Sequence, residues 1–506
     1  MAKRAIGRRD FIRGIAATGL AVAGASVLSG CGQSGEESIK WDETADVVVI
    51  GSGFAGLAAA LEALEAGATV KVIEKMPNPG GNSIINGGDF AAAGTKLQAE
   101  KGVEDSPELM LQDMLKAGLY LNHVEKARIV AEKSREALEW AMNYVGAEFP
   151  RLTYHGGHSV PRAHQTASAS GSELINKMIA KLKEKNVKVE LNRKVVRLIS
   201  NSEGRVIGVE VRDGYRFGDE ESGTPLFIKA SKAVVLAAGG FARDIQMRTI
   251  HDPRLTDEFE STNQPGATGE VLREALKLGA MDVHMDWIQL GPWASPDEKG
   301  FGYVPLFCER LVGYSPIINP KTGKRFVNET GNRKERADAI ILIGEPVVHV
   351  ADSYAVNRQV VPETLEAGLK NGAIRKFSSL EEVADYYKIP LQPFLAEIKR
   401  WNSMVAKGKD DDFNCKILEG AKPTETPPFY AVRLWPKVHH CMGGLVVNTK
   451  GQVINQDFKP IKGLYAAGEI TGGTHGAVRL GGCAMVDCIV FGRIAGQESA
   501  KEEAWG

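Results

Sequence analysis

The stretch Asp46–Glu74, DVVVIGSGFAGLAAALEALEAGATVKVIE, decides the fold. Val47, Val48, Val49 and Ile50 form the β-branched run of a fully buried parallel strand. Gly51, Gly53 and Gly56 follow as GxGxxG, and Leu57, Leu61 and Leu64 then recur at helical spacing. Val70 to Ile73 is a second apolar strand, and it ends on Glu74. The whole reads as a β–turn–α–β unit with an acidic side chain about 20 residues beyond the glycines, as a dinucleotide's ribose hydroxyls require. Gly51 permits the tight turn and Gly53 lets backbone approach a pyrophosphate. Gly56 lets helix and strand pack closely, so that the helix N-terminus faces the phosphates. Glycine triplets alone are common; in register with two strands, a helix and Glu74 the signal is specific.

Around this unit the chain runs to 506 residues, long enough for two or three domains. Apolar residues make up 43% and charged residues 25%, the balance of an ordinary globular protein. The formal charge of −1 and the lack of a basic stripe argue against nucleic acid as a partner. The six cysteines show no CxxC, CxxCH or paired zinc spacing, so neither an attached c-type haem nor a zinc site is expected. His439-His440 lacks a third ligand at suitable spacing, and no metal is assigned. Cys483 and Cys488 read as buried thiols, with a disulfide as the alternative.

Residues 1–31 read as an export signal. Arg8-Arg9-Asp10-Phe11-Ile12 is a twin-arginine pattern, and the mild apolar run from Gly14 to Gly30 is short for a membrane span. Leu28-Ser29-Gly30-Cys31 resembles a bacterial lipobox, which would make Cys31 a lipid anchor on a periplasmic or cell-surface protein. An ordinary N-terminal helix is the alternative. Residues 32–44 read as a polar linker.

Further along, Pro79–Gly88 reads as a glycine-dense loop passing something flat or phosphorylated. Ser106-Pro107-Glu108 starts helices that continue through Tyr144. His158–Ser170 reads as a loop, Gly171–Lys185 as a helix, and Val187–Arg212 as a hairpin turning at Asn201–Gly204. Ala233–Ala238 is another buried strand, closed by Gly239-Gly240. From 286 to 432 prolines and aromatics increase and strand–helix alternation fades, which suggests an insertion with helices at Ser379–Lys388 and Leu391–Met404. Glycine-rich segments then return, with a strand at Leu464–Ala467 and a closing helix at Ala484–Gly496.

Five segments together carry a resemblance: GSGFAGLAAA, AAGGFAR, GKRFVNE, HHCMGG and GEITGGTHGAVRLGG. They resemble the FAD-dependent fumarate reductase and succinate dehydrogenase flavoproteins, closest to the soluble flavocytochrome c fumarate reductase and urocanate reductase branch. The resemblance implies an α/β fold, a Rossmann-like FAD-binding domain (45–285 and 433–506) with an inserted α+β capping domain (286–432). It implies non-covalent FAD held by Ala55, Glu74, Asn82, Ser83, Gly87, Gly88, Gly239, Gly240, Glu270, His440, Glu469 and Gly482, beside Gly51, Gly53 and Gly56. His439 and Arg479 would hold a substrate carboxylate. Arg333, five residues after Asn328, would be the proton donor.

The reaction implied is reduction of the C=C bond of an α,β-unsaturated carboxylate. It needs a hydride, a proton on the other carbon and preorganised donors for the charge between them. Arginine becomes a credible acid where burial and neighbouring cations both favour loss of its proton. Two departures from the family matter. Glu309 takes the place of a relay glutamate, but the relay arginine three residues on is Val312, which leaves Arg310 or Arg336 to substitute. The histidine that holds fumarate's second carboxylate is here Gly291, so fumarate is not the expected substrate. Gly291 should open space, with Trp293 and Tyr303 as an aromatic wall for a bulkier monocarboxylic enoate. Electrons would arrive from a separate carrier, a cytochrome c or a membrane-linked flavoprotein. The alternatives are an FAD-dependent dehydrogenase or oxidase of the same superfamily, and a non-catalytic tethered flavin electron carrier.

Overall fold

In the computed structural model the described residues are 39–505. The twin-arginine pattern, Cys31 and linker residues 32–38 lie outside them. Strand β1 (Glu43–Ile50) starts two residues inside the expected linker and pairs in parallel with β2 (Val70–Ile73) across helix α1 (Phe54–Glu65). Val47, Val48 and Val49 are fully buried, as their apolar run requires. Gly51 has φ +104°, and a Cβ there would lie 2.3 Å from the Ala237 carbonyl oxygen, so only glycine makes this turn.

The glycine-dense segment is more regular than expected: it folds into a short helix, α2 (Gly81–Ile85), before β3 (Asp89–Ala91). Helix α3 (Pro107–Ala117) begins where Ser106 accepts a bond from the Leu109 N–H, and α4 (Val124–Asn143) follows. The segment expected as a loop over 158–170 contributes β4 (Ala163–Gln165), antiparallel to β3. Its polar residues are buried because Arg162, fully enclosed, is neutralised by Asp105 and Asp113 at 2.8 and 2.7 Å. Helix α5 (Ser172–Glu184) leads to β5 (Val189–Glu190), and β6 (Arg193–Ser200) with β7 (Val206–Asp213) forms the expected hairpin. Strand β8 (Thr224–Leu236) is longer than its apolar run, because its first half pairs antiparallel with β7 and the rest parallel with β1.

The middle of the chain contributes α6 (Glu270–Lys277), β9 (Ile288–Gly291), α7 (Val304–Leu311), β10 (Ile317–Ile318), α8 (Arg333–Ile343) and β11 (Val347–Asp352). It continues with β12 (Arg375–Phe377), α9 (Leu380–Tyr387), α10 (Leu391–Lys407) and β13 (Phe429–Leu434). Here the sheet is antiparallel, in the order β10-β11-β13-β12. Phe394 and Ile398 of α10 close one face and Phe307 and Leu311 of α7 the other. Finally β14 (Lys437–Cys441) pairs with β9, and β15 (Gln452–Ile454), β16 (Pro460–Ala466) and α11 (Cys483–Lys501) complete the first layer. The main sheet runs β15-β16-β8-β1-β2-β5 and is parallel at its centre, an α/β architecture. No helix among the described residues is long and apolar enough to cross a membrane.

Helix α1 is apolar on nearly every side because α11 covers the face the sheet leaves open. Contact is close: a Cβ at Gly496 would lie 2.2 Å from the Ala59 carbonyl oxygen. Gly496→Ala should therefore push the helices apart and cost about 1–3 kcal/mol, read as a lower thermal midpoint. An unchanged midpoint would show that α11 shifts without penalty.

Candidate active site

Two adjoining cavities lie at the C-terminal ends of β1 and β2. The first is lined by Gly51, Gly53, Ala55, Glu74, Asn82, Ser83, Gly239, Glu270 and Glu469. The Glu74 carboxylate accepts from the Ser52 hydroxyl at 2.7 Å and from the Met76 N–H at 3.0 Å, which fixes it at the strand end. Glu270 pairs with Lys75 at 2.8 Å. Lys75, Arg193, Lys194 and Gln264 share this wall, and none stood out in the sequence, where each is one polar residue among many. Gly56 takes the packing role expected of it, and two residues expected at the cofactor, Gly88 and Gly240, lie in packing contacts outside both walls. A Cβ at Gly56 would lie 2.0 Å from the Gly51 oxygen, at Gly88 2.2 Å from Thr166 Oγ1, and at Gly240 2.7 Å from Glu469 Oε1.

Phe54, Asn82, Ser83, Glu469 and Cys488 border both cavities, so they form one continuous cleft. One end presents the uncapped N-terminus of α1 at Gly53; the other holds charged and aromatic side chains. This suits a long cofactor with a pyrophosphate and a flat ring. Gly87, His440 and Gly482 line the second cavity, with His439, Arg479, Arg333, Glu309, Arg310 and Trp293.

A backbone irregularity places the histidine. Gln289 pairs with His440 and Leu290 with Val438, so His439 is the extra residue of a β-bulge between β9 and β14. Arg479 only donates, so His439 Nε2 accepts from its Nη2 at 2.9 Å, and Nδ1–H is left to donate to Thr262 Oγ1 at 2.8 Å. Burial, then the Arg479 and Arg333 charges, push the His439 imidazole well below its ordinary range and keep it neutral. Burial and Arg333 bring Arg479 down to about 9. Its Nη1 binds the Leu480 carbonyl, and its Nε is buried without a partner. No ion pair joins Arg479 to a carboxylate among the described residues.

Arg333 starts α8, where Asn332 caps the helix. It is buried, lies 3.8 Å from Glu309, and sits over the Trp293 ring at 5.3 Å. Burial lowers its basicity, Glu309 raises it, and Arg336 lowers it further; Nη1 has no hydrogen-bond partner. Burial alone would raise Glu309, but Arg336, His155 and Arg333 outweigh it and hold the carboxyl well below the usual range.

The structure decides one open alternative and changes two expectations. Arg336, not Arg310, contacts Glu309, at 2.7 Å, because it lies one helical turn after Arg333 on the same face of α8. Arg310 instead binds Asp89 through both carboxylate oxygens at 2.7 and 2.8 Å. Gly291 opens no space: a Cβ there would lie 2.8 Å from the Trp293 ring, which fills the room. Tyr303, 43% exposed just before α7, is absent from the wall, and Phe301 stands there with Trp293, both against His439. The cysteines among the described residues are free thiols. Glu329, Asp410 and Cys415 come close together, but Arg325 bonds both carboxylates and accounts for the cluster.

The FAD binding domain family matches residues 46–485. The chain belongs to that family. It is 42% identical over 501 residues to the acrylate reductase flavoprotein subunit of Shewanella woodyi, covering 97% of this chain and 98% of that protein. It is 36% identical over 461 residues to fumarate reductase (cytochrome) of Shewanella frigidimarina, covering 91% of this chain and 77% of that one. The open conformation of a flavocytochrome c3 fumarate reductase superimposes with a TM-score of 0.71 at 33% identity, covering 91% of this chain and 79% of that one. The chain is thus an FAD-dependent oxidoreductase of the fumarate reductase-like flavoproteins, and the cleft fits FAD.

Glu469 supplies a pH test. Burial pushes its carboxyl up to about 7, against a bond from the Cys441 N–H, the Arg479 charge and a bond from Asn82. A carboxyl raised on folding favours the folded state below its unfolded pKa and loses that advantage as pH rises through the folded one. Stability should therefore fall between about pH 4.5 and 7, the span separating the two values, and Glu469→Gln should flatten that fall. A parent-like slope in the variant would assign the effect elsewhere.

Proposed function

We propose that this flavoprotein reduces the C=C bond of a short monocarboxylic enoate of the acrylate type. One observation carries the reading: Arg479 is the cation of the cavity with no carboxylate facing it, whereas Arg310 faces Asp89 and Arg333 faces Glu309. The cavity thus offers a place for one added carboxylate. Trp293 fills the space above Gly291, which argues against a second carboxylate and against the bulky tail that Gly291 alone suggested. The likeness to an acrylate reductase subunit supports the same substrate class.

Arg479 binds the carboxylate through its guanidinium fork, with His439 fixed beside it by Thr262. Trp293 and Phe301 hold the apolar end and exclude water. When bound, FAD supplies the hydride. Arg333 delivers a proton from its unpartnered Nη1 to the neighbouring carbon, and its lowered basicity favours that transfer. FAD would be held non-covalently. Residues 286–432 would cap the site, and a separate carrier would bring electrons, as the name of a flavoprotein subunit among the relatives suggests. The twin-arginine pattern and Cys31 support export and lipid anchoring.

The test uses protein with its flavin reduced by dithionite, mixed without oxygen with acrylate, fumarate, urocanate or cinnamate. Acrylate should reoxidise the flavin fastest, and Arg333→Ala should slow it at least about a hundredfold while retaining flavin. Equal rates with fumarate would overturn the monocarboxylate reading. Parent-like rates in Arg333→Ala would remove Arg333 from the mechanism.

A further inference from the structure

Once Arg333 has given its proton to substrate it must be reloaded, and its own contacts offer a single acidic partner, Glu309. Glu309 has two other neighbours, on opposite sides. Arg336 binds Oε1 at 2.7 Å, and His155 donates from Nδ1 to Oε2 at 2.9 Å. The two sides lead to different places. Arg336 is 2% exposed and ends in a gap too tight for water, among Trp293, Val312, Ile317, Ile340 and His349, whose ring is itself only 1% exposed and is held by Ser315. That side anchors Glu309 and leads nowhere.

The His155 side continues. Its Nε2 lies 3.4 Å from Asp89 and 3.5 Å from Arg310 Nη1. Asp89 keeps 12% of its side chain exposed and borders the cavity next to Asn86 and Gly87. The imidazole reaches this position because Gly481 has no side chain: a Cβ there would lie 2.5 Å from the ring. The charged and titratable groups around His155 are Glu309 and Arg310 of α7, Asp89 of β3, Arg333 and Arg336 of α8 across Glu309, and the neutral His158 on its own segment. An imidazole between two carboxylates is suited to passing a proton from one to the other.

We propose that His155 reloads Arg333 through Glu309, with the Asp89–Arg310 pair as the solvent-facing end of the path. The proposal rests on Arg333 being the proton donor. In each turnover one proton leaves Arg333 for the substrate carbon. One passes from His155 Nδ1 across the Glu309 carboxylate to Arg333, and one enters from solvent at His155 Nε2 beside Asp89. Charge returns to its starting value, and the ring re-equilibrates between its tautomers. Glu309, held strongly acidic by its cations, passes the proton without keeping it. His155 is a reloading residue and does not touch the reacting carbons.

The first turnover uses the proton already on Arg333; later ones need the path. Pre-reduced His155→Asn should reoxidise with acrylate at the parent rate in its first turnover. Its steady-state rate with reduced viologen should fall at least about tenfold, and added imidazole should restore it. Flavin absorbance and thermal midpoint should match the parent. Asp89→Asn should show the same split, and His155→Gln serves if the Asn variant does not fold. Steady-state rates within about twofold of the parent, or equal slowing of first and later turnovers, would overturn the proposal. Arg333→Ala separates the two levels. If it turns over normally, the donor assignment fails and the path with it; if it is inactive while His155→Asn is not slowed, the path alone fails.

Discussion

Three guanidinium groups, on Arg310, Arg333 and Arg479, line one cavity, with that of Arg336 behind Glu309, and the site depends on how their charge is balanced. Desolvating so many cations would be prohibitive without anions placed among them. Glu309 answers Arg336 and Arg333, and Asp89 answers Arg310. Arg479 is left over, with a neutral histidine beside it. That residual charge makes the cavity receptive to a single carboxylate, and burial makes it selective, because water cannot screen it.

The fold brings these groups together from distant parts of the chain. Asp89 comes from β3, Glu309 and Arg310 from α7, Arg333 and Arg336 from α8, His439 from the bulge of β14, and Arg479 from the loop before α11. The central parallel strands end at the nucleotide half of the cleft, and the β9–β14 pair carries the chain between that half and the antiparallel sheet. A bulge at His439 turns one side chain into the cavity while Cys441 and Val438 keep their ladder partners. The same segment thus packs and binds.

Much of the nucleotide half was legible, because its chemistry depends on backbone approach, which glycines at fixed spacing announce, and on an acidic residue at a strand end. Gly51 and Glu74 stand where that logic puts them. Arg333, His439 and Arg479 were legible through the motifs around them. Gly88 and Gly240 showed the limit: in sequence a glycine needed for packing looks the same as one that makes room for a cofactor.

Sequence alone determined the order of strands and helices around the GxGxxG unit, the flavoprotein family and the main charged residues, since each follows from local period, spacing or motif. Tertiary structure decided what those residues face. That Trp293 fills the room left by Gly291, that Arg336 takes Glu309 while Arg310 takes Asp89, and that His155 lies beside Glu309 across 154 positions cannot be read from spacing. Such pairings are set by packing between separate elements, where a rotation of one helix by one residue exchanges one arginine for another.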